Sequence, residues 1–143
     1  MRLPDHLSDF DLIEDVFIRV AGKEKTLGVS ALAPNERVVY FIWSALGILG
    51  NGSFQYFYET GMSEQEVAVS LETLDLKQPA RYFREASQMI SQGGWVRDWN
   101  EKLQCLKMHE ADFDLLAQEI LYSEAEIEQR LANYIRSWTN TDV

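Results

Sequence analysis

Residues 34–49 read Pro-Asn-Glu-Arg-Val-Val-Tyr-Phe-Ile-Trp-Ser-Ala-Leu-Gly-Ile-Leu. Proline suits the first turn of a helix, where its missing backbone donor costs nothing, so Pro34 marks a start. Beyond it come Val38, Val39, Tyr40, Phe41, Ile42, Trp43, Ala45, Leu46 and Leu49, apolar on every side of the helix. Such a helix must be surrounded by others, which places this segment at the centre of the fold. The run from Val38 to Leu49, interrupted by Ser44 and Gly47, is about half of the ~20 residues that a bilayer span requires. The expectation is a buried helix and no association with membrane.

Helices are predicted on both sides of it. Ser8 can cap a first one, with Asp9 and Asp11 in the opening turn, where the helix dipole favours negative charge. Phe10, Ile13, Phe17 and Val20 form its apolar stripe, and Gly22 with Lys23-Glu24-Lys25 should end it. Residues 26–33 read as a crossing loop. After the central helix, Gly47, Gly50 and Gly52 mark a break, Asn51 can cap a short helix through Phe54, Phe57 and Tyr58, and Gly61 ends that one.

Ser63 and Glu66 form a capping box, with Met62 and Val67 placed as its hydrophobic staple. Pro79 opens a helix striped by Tyr82, Phe83, Ala86, Met89 and Ile90, and Gly93-Gly94 breaks the chain again. Trp95, Trp99, Leu103 and Leu106 give one further helix, and Phe113, Leu116, Ala117, Ile120 and Leu121 another. A second capping box, Ser123 with Glu126, begins a last helix with Ile127, Leu131, Tyr134, Ile135 and Trp138 inward. No stretch alternates with period two. The predicted fold is all-α, one compact single-domain bundle over residues 1–143, with about six to eight helices around the buried helix 34–49.

The chain has 23 acidic against 13 basic residues, a formal charge of −10 and a pI near 4.6. Such a surface repels nucleic acid and anionic membrane, and it steers basic partners inward over long range. Cys105 is the sole cysteine, which excludes an intrachain disulfide and a thiolate metal cluster and fits a reducing compartment. The start, Met1-Arg2-Leu3-Pro4-Asp5-His6, lacks the apolar stretch of a signal peptide, so a cytoplasmic location is expected.

The segment Asn51-Gly52-Ser53-Phe54-Gln55-Tyr56-Phe57-Tyr58-Glu59 resembles the signature of a bacterial family of domains of unknown function, in which an Asn-Gly-Gly-Phe turn leads into a Gln-Tyr-Phe stretch. Glu36-Arg37-Val38-Val39-Tyr40, the spacing of Ala80, Phe83 and Ala86, and Leu131-Ala132-Asn133-Tyr134-Ile135 extend the resemblance over about 34–138. Ser53 departs from it, standing where the second glycine is expected. The resemblance implies a helical fold. One characterised member type is an acidic DNA mimic that binds a transcription factor and keeps it from its operator.

Candidate sites divide into two groups. Asn51, Gly52, Phe54, Gln55 and Tyr56 make the family-like turn. Asn51 and Gln55 could hold an anion or a peptide backbone there, but a structural role at the turn fits the surrounding aromatics better. The second group is the acidic tract Glu110, Asp112, Asp114, Glu119, Glu124, Glu126 and Glu128, which no basic residue interrupts. Glu110 with Asp114, and Glu124 with Glu128, are four apart on predicted helices, about 5–6 Å between β-carbons. That lies in the range of phosphate spacing along a DNA strand, ~3.4 Å of axial rise per residue. A solvated helix face explains the same tract without function.

Signals for catalysis are weak. His6 and His109 sit in no metal-binding pattern, Cys105 has no base beside it in sequence, and Gly93-Gly94 lacks the lysine and spacing of a phosphate loop. Trp43, Trp95, Trp99 and Trp138 fall at core spacings, although Trp95 or Trp99 beside Arg97 could anchor an interface. The expectation is a non-enzymatic, acidic protein-binding domain without metal or cofactor. Its partner would be a basic protein, a DNA-binding protein in the mimic reading, with no direct nucleic-acid binding and with a homodimer allowed. The alternatives are an immunity-type inhibitor of a toxin, or an enzyme using a pocket near Asn51 and Gln55.

Overall fold

A computed structural model describes residues 7–91 and 98–138. Seven α-helices and one 3-10 turn make up the architecture, and no strand occurs among the described residues: α1 (Asp9–Leu27), the 3-10 turn (Val29–Ala31), α2 (Pro34–Glu59), α3 (Glu64–Thr73), α4 (Lys77–Ile90), α5 (Trp99–Met108), α6 (Glu110–Tyr122) and α7 (Glu124–Arg136). Gly93 and Gly94, expected to break the chain, and Trp95 and Arg97, read as an alternative interface anchor, lie outside the described residues, and Trp99 is exposed.

Helix boundaries follow local chemistry, with some corrections to the sequence reading. Ser8 caps α1 as expected, its Oγ accepting from the Asp11 N–H at 3.1 Å. Gly22 does not end α1. The helix runs on to Leu27 and stops at Gly28, which adopts φ 89 and donates its N–H to the Glu24 carbonyl. Residues read as loop therefore form the end of α1 and a 3-10 turn. The start of α2 is fixed by Glu36, whose Oε1 accepts from the Ala33 N–H at 2.8 Å and from Lys23 Nζ at 2.9 Å. Ser63 caps α3 through the Glu66 N–H at 3.3 Å. Ser123 makes no cap bond, because its backbone (φ −88, ψ 3) continues directly from α6 into α7. The α3–α4 corner is a Schellman turn, with the Leu76 N–H on Leu71 O, the Asp75 N–H on Glu72 O and Asp75 at φ 59.

One hydrophobic core runs through the described helices. Segment 34–49 lies in α2, with Val39 and Ile42 at 0% and 1% exposure, and α2 packs against α1, α3 and α6. It does not end at Leu49 but bends and continues to Glu59. Beyond the bend, Phe54, Phe57 and Tyr58 meet Phe83 of α4 and Phe113 of α6 in an aromatic cluster, with Phe57 and Phe83 centroids 5.6 Å apart and Phe54 and Phe113 5.9 Å apart. Burying each such ring is worth about 1.5–3 kcal/mol, so the aromatic cluster holds the bend in place.

Candidate functional site: an acidic aromatic groove at the bend of α2

The bend is made by two residues, Gly52 (φ −168, ψ 21) and Ser53 (φ 56, ψ −160). A β-carbon on Gly52 would lie 2.5 Å from Tyr56 Cβ, so only glycine fits there. Ser53 holds a left-handed backbone that favours glycine, which is the residue expected at that position from the family-like turn. Its hydroxyl donates to Asp114 Oδ1 of α6 at 3.0 Å. Asn51 does not cap a new helix. Its Nδ2 donates to the Gly47 carbonyl one turn back at 2.8 Å and satisfies the end of the first limb. The turn thus sorts its residues, with Phe54, Phe57 and Tyr58 facing the core and Asn51, Gln55 and Tyr56 facing out. Gln55 Nε2 donates to Glu59 Oε1 at 3.4 Å.

An open groove of about 480 Å³ lies beside the bend. Its floor is one face of α2, formed by Tyr40, Trp43, Ser44, Gly47, Ile48 and Asn51. Glu14 and Phe17 of α1 form one wall, and Tyr56, Thr60 and Met62 form the other. The floor residues follow the helical spacing three, one, three, one, three, so α2 is not enclosed on every side as its apolar sequence suggests. Ser44 and Gly47, which in sequence merely interrupt an apolar run, mark the open face.

The groove is aromatic and acidic together. Phe17 stacks on Tyr40 with centroids 6.5 Å apart, and Phe10, half exposed, meets Trp43 edge-on at 5.8 Å. Trp43 Nε1–H donates to Glu14 Oε1 at 3.3 Å. Burial raises the Tyr40 hydroxyl above the usual tyrosine value, and the neighbouring Glu24 carboxylate adds to the rise. Two further hollows adjoin the groove. One, bounded by Phe10, Glu14, Trp43 and Leu46, reaches Glu124 of α7, and the other, by Asn51, Gly52 and Tyr56, reaches Glu59. No lysine or arginine lines these three connected hollows among the described residues.

The acidic tract divides between this face and others. Glu124 lines the adjoining hollow with Phe10, Glu14 and Trp43. Glu110 lines a neighbouring hollow with Gln55 and Phe113, where Lys107 also lies, and Asp114 is tied to the bend through Ser53. Asp112 and Glu119 are about 200° and 140° round α6 from Asp114, at 100° per residue, and are turned elsewhere. Glu126 pairs with Arg130 at 3.4 Å, and Glu128 is half-buried. Glu14 lines the groove instead, and Glu59 its adjoining hollow. Neither stands out as a site residue in the sequence, and the topology that brings α1 and the far end of α2 together is the cause of their recruitment.

The family described as DMP19-like protein matches residues 30–138. The chain belongs to the DMP19-like family. No curated protein and no solved structure matched the chain. Most of the groove of this DMP19-like chain lies inside the matched span, and Phe10, Glu14 and Phe17 of α1 come from outside it. Among the described residues, no helix is long and apolar enough to cross a membrane, and no group of three or more His, Cys, Asp and Glu could hold a metal ion.

Proposed function

We propose that the chain is a non-catalytic acidic binding domain whose groove face stands in for DNA phosphates and occludes a basic nucleic-acid-binding protein. The observation that carries this reading is that carboxylates from four helices lie along the groove and the bend: Glu14 (α1), Glu59 (α2) and Glu124 (α7) line the groove and its adjoining hollows, Glu110 (α6) lines a neighbouring hollow, and Asp114 (α6) accepts from Ser53 at the bend. Glu14, Glu59 and Glu124, whose hollows no lysine or arginine lines among the described residues, create a local field that attracts a cationic surface, whereas the same number scattered over the molecule serve only solubility. Membership of the DMP19-like family is compatible with this reading.

The polar groups of the groove support binding over catalysis. Asn51 Nδ2 is committed to Gly47 O, Gln55 Nε2 to Glu59, the Trp43 indole to Glu14, and the Thr60 hydroxyl to the Phe57 carbonyl at 2.6 Å. No histidine or cysteine lines the groove among the described residues. The test is capture from the native cell at low salt, followed by elution with rising salt and identification of the released protein. A basic DNA-binding protein that elutes steeply with salt is expected. A neutral partner held through the salt gradient would overturn the reading.

A further inference from the structure

The geometry points to the groove between α1 and α2 as a slot for an arginine side chain carried by the basic partner. This rests on the reading of that face as a surface for cationic proteins, and it adds which side chain the surface selects. The slot offers the two things a guanidinium seeks. Aromatic rings are present in Phe17 on one wall and in Tyr40 and the half-buried Trp43 on the floor. A carboxylate, Glu14, sits at the same wall and is held there by the Trp43 indole N–H at 3.3 Å.

Arginine fits better than lysine for a geometric reason. A planar guanidinium stacks on a ring face while its edge donors reach a carboxylate, and an ammonium is a compact, strongly hydrated charge that does neither as well. Ile48 and Met62 provide apolar surface for the aliphatic stem. Glu59 and Glu124 in the adjoining hollows extend the negative charge to both ends, so a basic chain running along the groove finds carboxylates on either side of the slot. Neither Glu14, Glu59 nor Glu124 forms an ion pair with a lysine or arginine among the described residues, which leaves their charge for an incoming cation.

The test uses the full chain and three blocked peptides, Gly-Ser-X-Gly-Ser, with X as arginine, lysine or norleucine. The Trp43 indole N–H resonance, assigned with Trp43→Phe, reports occupancy. The arginine peptide should move it saturably at low salt, the lysine peptide should bind at least about threefold more weakly, and norleucine should leave it in place. Glu14→Gln should weaken the arginine peptide by about threefold or more, with Glu126→Gln as a control that does not. Equal binding of arginine and lysine peptides, or an equal response to norleucine, would overturn the slot. The three-peptide comparison needs only the wild-type chain, so a variant that misfolds does not remove the test. Loss of salt-sensitive partner capture with an intact arginine response would overturn the proposed function alone. Retained capture with no arginine preference would overturn the slot alone.

Discussion

The Ser53 hydroxyl donates to Asp114 Oδ1 at 3.0 Å and so fastens the bend of α2 to α6 across sixty-one positions of sequence. The bond fixes an acidic residue against the bend, and it is made by a side chain on a backbone that a side chain disfavours (φ 56, ψ −160). Conformations of this kind cost about 1–3 kcal/mol for residues other than glycine. Ser53→Ala retains that cost and loses the bond, a loss of about 0.5–1.5 kcal/mol. Ser53→Gly loses the bond but removes the strain. Denaturant unfolding should therefore rank the glycine variant above the alanine variant, by up to about 3 kcal/mol. An alanine variant as stable as the glycine variant would remove the strained-bend account.

Gly52 and Gly50 separate crowding from propensity. A β-carbon at Gly52 meets Tyr56 Cβ at 2.5 Å, and one at Gly50 meets nothing within 4 Å. Gly52→Ala should destabilise by about 1–3 kcal/mol, through overpacking against a side chain that cannot leave. Gly50→Ala, inside a helix, should be neutral or stabilise by up to about 1 kcal/mol. Thermal unfolding of the two variants side by side reads the difference.

The fold is largely legible in the sequence because burial in a helical bundle obeys a spacing that can be read locally. Periodicity places Leu71, Phe83, Ile90, Ile127 and Ile135 inward, and all are buried. Two kinds of feature are not legible. Gly22 does not stop α1 and Ser123 does not cap α7, because a residue able to stop or start a helix does so only where neighbouring packing allows it, and α1 and α7 pack against each other instead. The groove is hidden for a different reason. Tyr40 and Trp43 carry the same apolar signal as Val39 and Ile42, and only the position of α1 decides which of them is covered. Ser44 and Gly47 hold the local clue, as small residues on the face left open. Gathering Glu14 with Glu124 depends on long-range contacts that no spacing reveals.

Buried Tyr58 and half-buried Tyr40 link stability to alkaline pH. Tyr58 is raised above the usual tyrosine value of about 10, first by burial and then by the Glu64 carboxylate, and Tyr40 is raised by burial and Glu24. A raised phenol stays protonated in the folded chain after it ionises in the unfolded one. Its contribution is complete below pH ~10 and is lost as pH rises beyond that value. The unfolding midpoint should hold steady from about pH 7 to 9 and fall above about 10, and Tyr58→Phe should blunt the fall. An identical alkaline decline in that variant would show that Tyr58 has no part in it.

Glu36 joins α1 to the start of α2 by accepting from both Ala33 N–H and Lys23 Nζ. Glu36→Gln keeps an acceptor for the backbone and loses the ion pair, and Glu36→Ala loses both. Chemical denaturation should show the alanine variant about 1–2 kcal/mol less stable, with the glutamine variant between it and the wild type.

DNA competition with the partner decides whether this face acts as a phosphate surrogate. A labelled duplex is bound to the captured DNA-binding protein, the chain is added, and release is followed by fluorescence anisotropy. The wild-type chain should release the duplex at low salt and lose that power as salt rises. A variant with Glu14, Glu110, Asp114 and Glu124 changed to their amides should need at least about tenfold more protein for the same release. Equal release by the wild type and the amide variant, or a ternary complex that keeps the duplex bound, would contradict the account.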